Sequence, residues 1–350
     1  MKITNVSYER LDLELQAPYI IAYETVSKAT NFILRIETES KLVGFGCSAP
    51  DPLLTGMTDL EAEDVIANTI IPFLIGKDPF HYVRILEELK QVIGKSRSVL
   101  AMVDMALLDL ASKKAEVPLY KFLGGYRDSI ATSITIGILP LEKTLQEARE
   151  YVKKGFSILK LKGGLSVEED IEKIIRLREV FPQIALRFDG NQGYSVEESI
   201  AFVKGTHAAG VEIFEQPTKT KEEEKLGRVT KNVSIPVMAD ESIKTLADTF
   251  RLARNERIDM INIKLMKVGG IMEALHINSV AKSAGLEAMV GCIDECALGI
   301  SAGLHFALSR PNIHYADLDG HLEMTNDPFS DLFRLEKGIL YPTNKPGLGI

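Results

Sequence analysis

The chain of 350 residues is long enough for a barrel plus a smaller domain, and its 45 % hydrophobic and 26 % charged residues are ordinary for a globular protein. The net charge of -8 argues against a nucleic acid partner. No apolar run has signal-peptide or membrane-spanning length, and three cysteines are too few for a disulfide scaffold. We therefore expect a cytoplasmic protein without a membrane partner.

The first third of the chain mixes strand and helix patterns. Alternating apolar and polar residues predict three strands, at 2–15, 31–37 and 42–47. Two polar or Pro/Gly-rich segments between them predict loops, at about 16–30 and 48–58. Helical patterns follow at about 58–74, 79–93 and 96–115. We predict an α+β domain over residues 1–125.

From Ala131 the pattern changes to strict alternation of strands and helices. Capping-box pairs at Ser166/Glu169 and Ser195/Glu198 predict two of the helix starts. Alternating units with apolar strands predict a parallel sheet covered by helices, and eight strands predict a closed barrel. We place this barrel at residues 126–320 and expect the C-terminal segment, about 321–350, to join the N-terminal domain.

The residues that close these strands form a regular series. Neighbouring members are 24 to 27 residues apart, which is one strand–helix unit. The C-terminal strand ends of such a barrel meet at one mouth, where active sites are built. A helix N-cap explains one Asp or Glu at a strand end, but not a charged residue at six of eight ends, so we assign the set to a functional site. Its members are Lys162, Asp189, Glu215, Asp240, Lys264, Gly291 and Asp317.

Three members of the series are carboxylates on consecutive strands, Asp189, Glu215 and Asp240. Clustered carboxylates repel one another and need a cation. All-oxygen ligands from separate rigid strands suit Mg²⁺. The loop beginning at Asp189 starts like a calcium loop, but Ile200 stands where the twelfth-position glutamate belongs, so we discard that alternative.

Lys160 and Lys162 share one face of a strand, and Lys264 closes the sixth strand. A Lys-x-Lys pair alone is most simply an exposed edge strand. Here the carboxylates can compensate buried lysines, and burial and neighbouring cations should lower a lysine pKa enough for it to act as a base. Two bases on opposite sides of one carbon, with a metal at the adjacent oxygens, can remove an α-proton and return one to the other face.

With these motifs the chain resembles the enolase superfamily and, within it, the muconate-lactonizing-enzyme subgroup. The resemblance covers essentially the whole chain and implies a (β/α)7β modified TIM barrel with an N-terminal capping domain, whose two loops close over the site. The motifs are Leu159-Lys160-Leu161-Lys162, Asp189-Gly190-Asn191-Gln192, Phe214-Glu215-Gln216-Pro217, Met238-Ala239-Asp240-Glu241-Ser242 and Asn262-Ile263-Lys264-Leu265-Met266-Lys267-Val268-Gly269-Gly270.

The resemblance also implies roles for the site residues. One Mg²⁺ per chain would be bound by the three carboxylates, Lys162 and Lys264 would be the two acid/base catalysts, and Lys160 would stabilise the enolate. A His-Asp pair, used by another racemase pattern of the superfamily, is absent because Lys264 occupies that strand. We expect Asn191 of the Asp-Gly-Asn-Gln motif to contact the substrate.

The choice of reaction rests on the last strand, where Asp317 and Asp319 share one face. Two carboxylates there could receive an ammonium group, although a strand-end Asp plus a turn Asp is the plainer explanation. In dipeptide epimerases of this subgroup an Asp-x-Asp at this place binds the substrate's N-terminal ammonium. Muconate cycloisomerases, o-succinylbenzoate synthases and N-acylamino acid racemases have no ammonium to bind and remain alternatives.

The chain departs from Ala-Glu epimerases, which typically carry an arginine in the first capping loop where Glu24 stands here. Asp51 in the second loop and Asp294 after the seventh strand lie in segments that border the pocket. Loop acids often face only solvent. Together these three favour a dipeptide with a cationic side chain over an acidic or apolar one.

Two other classes of protein remain open. A Schiff-base aldolase with a lysine nucleophile would leave the three metal-type carboxylates without a role. A catalytically inactive barrel would not need the right residue type at every expected catalytic position. We also expect a homo-oligomer.

Overall fold

The structure, a computed structural model, describes the backbone of residues 1–21 and 24–350 and the side chains of residues 1–15 and 27–350. The chain begins with an antiparallel sheet of β1 (Ile3–Ile21), β2 (Glu24–Thr38) and β3 (Val43–Ser48), in that order. The predicted loop at 16–30 is wrong, because its described residues continue both strands of a long hairpin after a register irregularity between Glu14 and Tyr19. Aromatic and β-branched residues in this segment favour extended backbone.

Helices follow this sheet in the chain, as predicted. Helix α4 (Arg97–Lys114) packs directly on β3, where glycine is required: a Cβ on Gly46 would lie 1.9 Å from the backbone oxygen of Met102. The first helix begins with a capping box of Thr58 and Glu61. The helices are α1 (Asp59–Val65), continued by a π-helical turn (Ile66–Ile70) and α2 (Ile71–Leu74), then α3 (Tyr82–Ile93), α4 (Arg97–Lys114) and α5 (Leu119–Phe122).

A parallel eight-stranded sheet follows in the described part of the chain, preceded by the short β4 (Ile130–Ala131). The strands are ordered along the sheet as in the sequence, and Ser133 N–H donates to Ala316 O at 3.1 Å, which joins the first strand segment to the last and closes the barrel. The fold prediction is confirmed. The barrel strands are β5 (Ile134–Ile136), β6 (Ile158–Lys162), β7 (Ala185–Asp189), β8 (Val211–Glu215), β9 (Val237–Ala239), β10 (Met260–Lys264), β11 (Glu287–Gly291) and β12 (Ile313–Asp317).

Helices surround the barrel and connect its strands. Ser195 and Glu198 form the predicted capping box, whereas at Ser166 the hydroxyl accepts the Glu169 N–H without the reciprocal bond. The helices are α6 (Leu141–Lys153), α7 (Val167–Val180), α8 (Val196–Thr206), α9 (Glu223–Asn232), α10 (Leu246–Arg254), α11 (Leu265–Val268), α12 (Ile271–Ser283) and α13 (Ala297–Leu308).

The C-terminal segment contacts both parts of the molecule. Its hairpin of β13 (Phe333–Glu336) and β14 (Ile339–Pro342) pairs with β4, while the Thr325 N–H donates to Glu14 O at 3.0 Å. The division of the chain into domains near residue 125 stays a prediction. Among the described residues, no helix has the length and apolar character needed to cross a bilayer.

Two buried carboxylates on α4 connect it to other elements. Asp104 accepts the N–H groups of Ile271 and Met272 at the start of α12, at 2.5 and 3.3 Å. Asp109 accepts the Leu348 N–H at 2.8 Å and the Phe45 N–H of β3 at 2.9 Å. Helix α4 is therefore a common support for the N-terminal sheet, the barrel and the C-terminus.

Candidate active site at the mouth of the barrel

Strand register brings the predicted series of strand-end residues to one level. Lys162 pairs with Asp189 and Asp189 with Glu215, while on the other side Lys264 pairs with Gly291 and Gly291 with Asp317. Because side chains alternate along a strand, the charged side chains at this level point into the mouth.

The three carboxylates of the predicted metal site converge. One oxygen from each of Asp189, Glu215 and Asp240 lies within 4.8 Å of the other two, and all three side chains are buried. Burial and Asp189 raise the pKa of Glu215 to about 7, although Lys160 opposes them. The raised pKa of Glu215 shows that a third negative charge is unfavourable beside Asp189 and Asp240. A bound cation would remove this repulsion.

The carboxylates are also oriented in the way that metal ligands are. In each, one oxygen is held by a protein donor and the other faces one or more lysine ammonium groups, so the second oxygens are the ones available to a cation. Such supporting hydrogen bonds commonly fix metal ligands, and hard oxygen donors suit Mg²⁺. The held oxygens and their donors are Asp189 Oδ1 with Asn191 N–H at 2.9 Å, Glu215 Oε1 with Asn262 Nδ2 at 2.7 Å, and Asp240 Oδ1 with Lys267 Nζ.

Lysines occupy both sides of this cluster. Lys162 Nζ lies 2.9 Å from Asp189 Oδ2, and Lys264 Nζ lies 2.9 Å from Asp240 Oδ2. They project from β6 and β10, with β7, β8 and β9 between them in the sheet. The two candidate bases therefore flank the carboxylates from opposite directions, as a two-base site requires.

Electrostatics at these lysines departs from the sequence-based expectation. Burial lowers the pKa of Lys264, but Asp240 and other carboxylates outweigh burial and raise it well above its ordinary value. Burial likewise lowers the pKa of Lys160, while Asp317 and Glu215 contribute to a net rise. The expected lowering is wrong for both residues, because each ammonium lies against carboxylates whose attraction exceeds the burial penalty.

The predicted ammonium site lies beside the last strand. Asp317 Oδ1 accepts the Ser133 hydroxyl at 2.7 Å, and Asp319 Oδ2 accepts the Thr135 N–H at 2.6 Å. Burial and Asp317 raise the pKa of Asp319 to about 6. Despite burial, Lys160 holds the pKa of Asp317 below its ordinary value, and the charged Asp317 disfavours ionisation of Asp319, so an added cationic group would stabilise the Asp319 carboxylate.

The remaining predicted substrate contacts have different surroundings. Asn191 is buried with a backbone φ of 41°, and its side-chain oxygen has no hydrogen-bond partner among the described residues. The Glu24 side chain lies outside the described residues. Asp51 Oδ1 accepts the Leu53 N–H at 2.7 Å, so part of this carboxylate stabilises its own turn. Asp294 is half-buried.

Asn31 holds the segment that carries Asp294. Its amide Nδ2 donates to the Asp294 backbone oxygen at 3.0 Å, and its Oδ1 accepts the Cys296 N–H at 2.8 Å. Asn31 is fully buried on β2. The base of the first hairpin and the loop after β11 are thus joined in a defined geometry.

Sequence reasoning missed several residues of the site. Asn262 lies two positions before Lys264 and therefore on the same strand face, a signal that was available from spacing alone. Lys267 lies on the short helix α11 and contacts Asp240, and Ser133 lies just before β5 and contacts Asp317. Neither position belongs to a periodic pattern that would have indicated it. Burial raises the pKa of Glu295 to about 8, while Lys264 opposes the rise, so a further carboxyl lies within electrostatic range of that base.

Comparison with known families agrees with this geometry. A family model described as "Mandelate racemase / muconate lactonizing enzyme, N-terminal domain" matches residues 4–124. A second, described as "Enolase C-terminal domain-like", matches residues 143–350.

Individual relatives cover the full chain. An L-Lys-D/L-Arg epimerase of Desulforapulum autotrophicum is 42 % identical, over 100 % of this chain and 99 % of the relative. The L-Ala-D/L-Glu epimerase of Bacillus subtilis, solved as a substrate-liganded complex, has a TM-score of 0.97 at 36 % identity, with 100 % and 99 % coverage. A dipeptide epimerase of Methylococcus capsulatus, solved with Mg and the dipeptide L-Arg-D-Lys, has a TM-score of 0.95 at 35 % identity, with the same coverage.

Proposed function

The chain belongs to the muconate-lactonizing-enzyme subgroup of the enolase superfamily, and within that subgroup we propose that it is a Mg²⁺-dependent dipeptide epimerase. The observation that carries this proposal is the pair of lysines, Lys162 and Lys264, flanking one buried carboxylate triad from opposite strands. The full-length relatives named as dipeptide epimerases support the substrate class.

The residues of the site account for inversion at one carbon. One lysine Nζ accepts the proton as the C–H bond of the substrate α-carbon breaks, and the ammonium of the opposite lysine delivers a proton to the other face. When bound by Asp189, Glu215 and Asp240, Mg²⁺ supplies positive charge to the oxygens beside that carbon. Lys160, buried and charged among the same carboxylates, adds a fixed positive charge to the site.

The ammonium of a dipeptide has a receptor in Asp317 and Asp319. Asp317 already pairs with Lys160 at 2.8 Å, whereas among the described residues Asp319 Oδ1 has a hydrogen bond only from the Cys292 thiol at 3.9 Å, so Asp319 is the more available carboxylate. Binding at this point places the second residue of the dipeptide toward the lysines. The buried side-chain oxygen of Asn191, to which no described residue donates a hydrogen bond, suits a hydrogen bond from the substrate.

We further propose that the pocket favours dipeptides with a cationic side chain. Asp51 Oδ2 has no hydrogen bond from a described residue, so it is available to a cation even though Oδ1 serves the turn. Asp294 is anchored through its backbone beside the same mouth, and Glu24 stays a prediction from sequence. The relatives named for Lys and Arg dipeptides support this preference, whereas the Bacillus subtilis relative is named for an acidic one.

Isotope exchange tests the proposal. Dipeptide pools incubated with the enzyme and Mg²⁺ in D₂O should gain one mass unit for each substrate that is epimerised, and chiral chromatography should show inversion of the second residue. Turnover of N-acetyl or N-succinyl amino acids in preference to dipeptides would favour the racemase alternative. Cytoplasmic location and a homo-oligomeric state stay predictions.

A further inference from the structure

The second capping segment, residues 49–58, is a compact unit stabilised by its own hydrogen bonds. Asp51 Oδ1 accepts the N–H groups of Leu53 and Leu54 at 2.7 and 2.6 Å. The backbone oxygen of Asp51 accepts the N–H groups of Thr55 and Gly56 at 2.9 and 3.0 Å. Because these bonds all lie within the segment, they do not determine its position relative to the barrel.

One side-chain hydrogen bond joins this segment to the barrel, in addition to the packing of its buried Ala49 in the main core. Lys244, in the loop after β9, donates from Nζ to the backbone oxygen of Leu53 at 3.1 Å. In the described part of the chain, no other hydrogen bond links residues 49–58 to the barrel. The first hairpin differs, since the buried side-chain amide of Asn31 joins it to the barrel through two hydrogen bonds.

The surroundings of Lys244 are unfavourable for a charged lysine, which indicates that its position has a structural reason. It is half-buried, and burial and the neighbouring Arg97 lower its pKa, against the opposing effect of Glu241 and Asp51. A surface lysine would relieve both costs by turning to water. Its position is explained by the Leu53 oxygen and by the acids on either side, which belong to the active site and to the capping segment.

We infer that Lys244 is a positioning residue: it holds the second capping segment against the barrel mouth and so places Asp51 where a cationic substrate side chain can reach it. The identity of the substrate comes from the proposed function. The positioning role comes from the hydrogen bond between Lys244 and Leu53. Lys244 touches neither the reacting carbon nor the metal carboxylates, and it acts through Leu53 and the turn that contains Asp51.

Two simple effects of removing Lys244 oppose each other, which makes the inference testable. Loss of a positive charge near Asp51 would by itself make the pocket more acidic and strengthen the preference for cationic dipeptides. Loss of the tether would displace Asp51 and weaken that preference. We expect the tether to dominate, so Lys244→Ala should lower kcat/KM for Ala-Lys by about tenfold, mostly through KM, and reduce the Ala-Lys to Ala-Glu ratio.

The tether can also be observed without turnover. The chain contains no tryptophan, and the Leu53 side chain is 57 % exposed, so Leu53→Trp provides a single fluorescent reporter on the segment. In this background Lys244→Ala should lower the fluorescence anisotropy of Trp at position 53 and increase its quenching by acrylamide. Lys244→Arg, which keeps a charged donor, should restore both signals and most of the Ala-Lys activity. Lys219→Ala, at an exposed lysine of the preceding barrel loop, is the matched control.

Unchanged anisotropy, or a higher Ala-Lys to Ala-Glu ratio in Lys244→Ala, would overturn the inference. If the wild type turns over no dipeptide, the proposed function fails, while the fluorescence comparison still decides whether Lys244 tethers the segment.

Discussion

The Lys160 ammonium lies 2.8 Å from Asp317 and 2.7 Å from Glu215. One buried cation therefore connects the metal carboxylates to the carboxylates expected to bind the substrate ammonium. A charge added at one of these carboxylate groups changes the electrostatic energy of the other, because both contact the same lysine and the protein interior screens charges poorly. Metal and substrate binding should consequently be coupled in this protein.

Replacing Glu215 by Gln should abolish tight Mg²⁺ binding while leaving the fold intact. The amide keeps the volume and the contact to Asn262 but removes a negative ligand from the triad. We expect at least about a hundredfold loss of activity, with unchanged circular dichroism. Isothermal titration with MgCl₂ measures the binding. Glu212→Gln, at an exposed position on the same strand, should behave as wild type, and an active, EDTA-resistant Glu215→Gln would refute the metal assignment.

Single alanine substitutions of Lys162 and Lys264 should each abolish epimerisation. Each variant keeps one base and should still exchange the α-proton of one stereoisomer, because the surviving lysine faces only one side of the carbon. Proton NMR in D₂O with each diastereomer separately resolves the two activities. Lys204→Ala on the surface of α8 serves as the control. Wild-type epimerisation by Lys264→Ala would exclude a two-base mechanism.

The ammonium site predicts a pH dependence. Burial and Asp317 raise the pKa of Asp319 to about 6, and protonation removes the charge that attracts the ammonium. The kcat/KM for a dipeptide should therefore be constant above about pH 7 and fall below pH 6, and Asp319→Asn should be low throughout and lack this step. N-acetylation of the dipeptide should cost about tenfold to a hundredfold in kcat/KM. Equal rates for free and acetylated dipeptides would contradict the site.

Side-chain preference can be tested at the acids that border the pocket. Asp51→Asn and Asp294→Asn should each lower the Ala-Lys to Ala-Glu ratio of kcat/KM, because each removes negative charge while keeping side-chain volume. Glu24→Arg should shift preference toward Ala-Glu. Asp331→Asn, at an exposed acid on the C-terminal segment, is a control for net charge. A wild type that prefers Ala-Glu or apolar dipeptides would show that these acids do not set specificity.

The buried Asp104 should make stability depend on pH. Burial raises its pKa to about 7, whereas an unfolded chain ionises near the ordinary value. Because the folded state holds this proton more tightly, the contribution of Asp104 to stability is greatest at low pH and is lost as pH rises through about 7. Relative to Asp104→Asn, wild type should lose roughly 2–3 kcal/mol between pH 5 and pH 8. Urea unfolding at both pH values measures this, and equal shifts in the two proteins would contradict it.

The barrel and its charged mouth were predictable because their cause is periodic. Charged residues at the ends of six of the eight strands, from Lys162 to Asp317, indicate both the fold and the level at which the side chains meet. The first capping loop was predicted wrongly because strand pairing between Tyr19 and Val26 depends on a partner strand and not on local composition.

Other features of the site depend on contacts between distant segments. Asn31 lies 263 residues from Asp294, and Lys244 lies 191 residues from Leu53. Neither residue carries a local signal, since an asparagine in a strand and a lysine in a loop are ordinary. The partial use of Asp51 by its own turn was likewise hidden, because only the backbone conformation shows which carboxylate oxygen is already bonded.

The two buried acids of helix α4 limit the ways in which this chain can acquire new substrates. Asp104 and Asp109 bind backbone groups of α12, β3 and the C-terminal segment, so an N-terminal third that lacks these two acids would leave buried N–H groups unpaired. Among the loops at the barrel mouth, the segment 49–58 makes most of its described hydrogen bonds within itself, whereas the loop after β11 is bonded to the buried Asn31. New specificities should therefore arise by point changes in those loops, and recombination at residue 125 with a partner that lacks the two acids should yield misassembled chimeras.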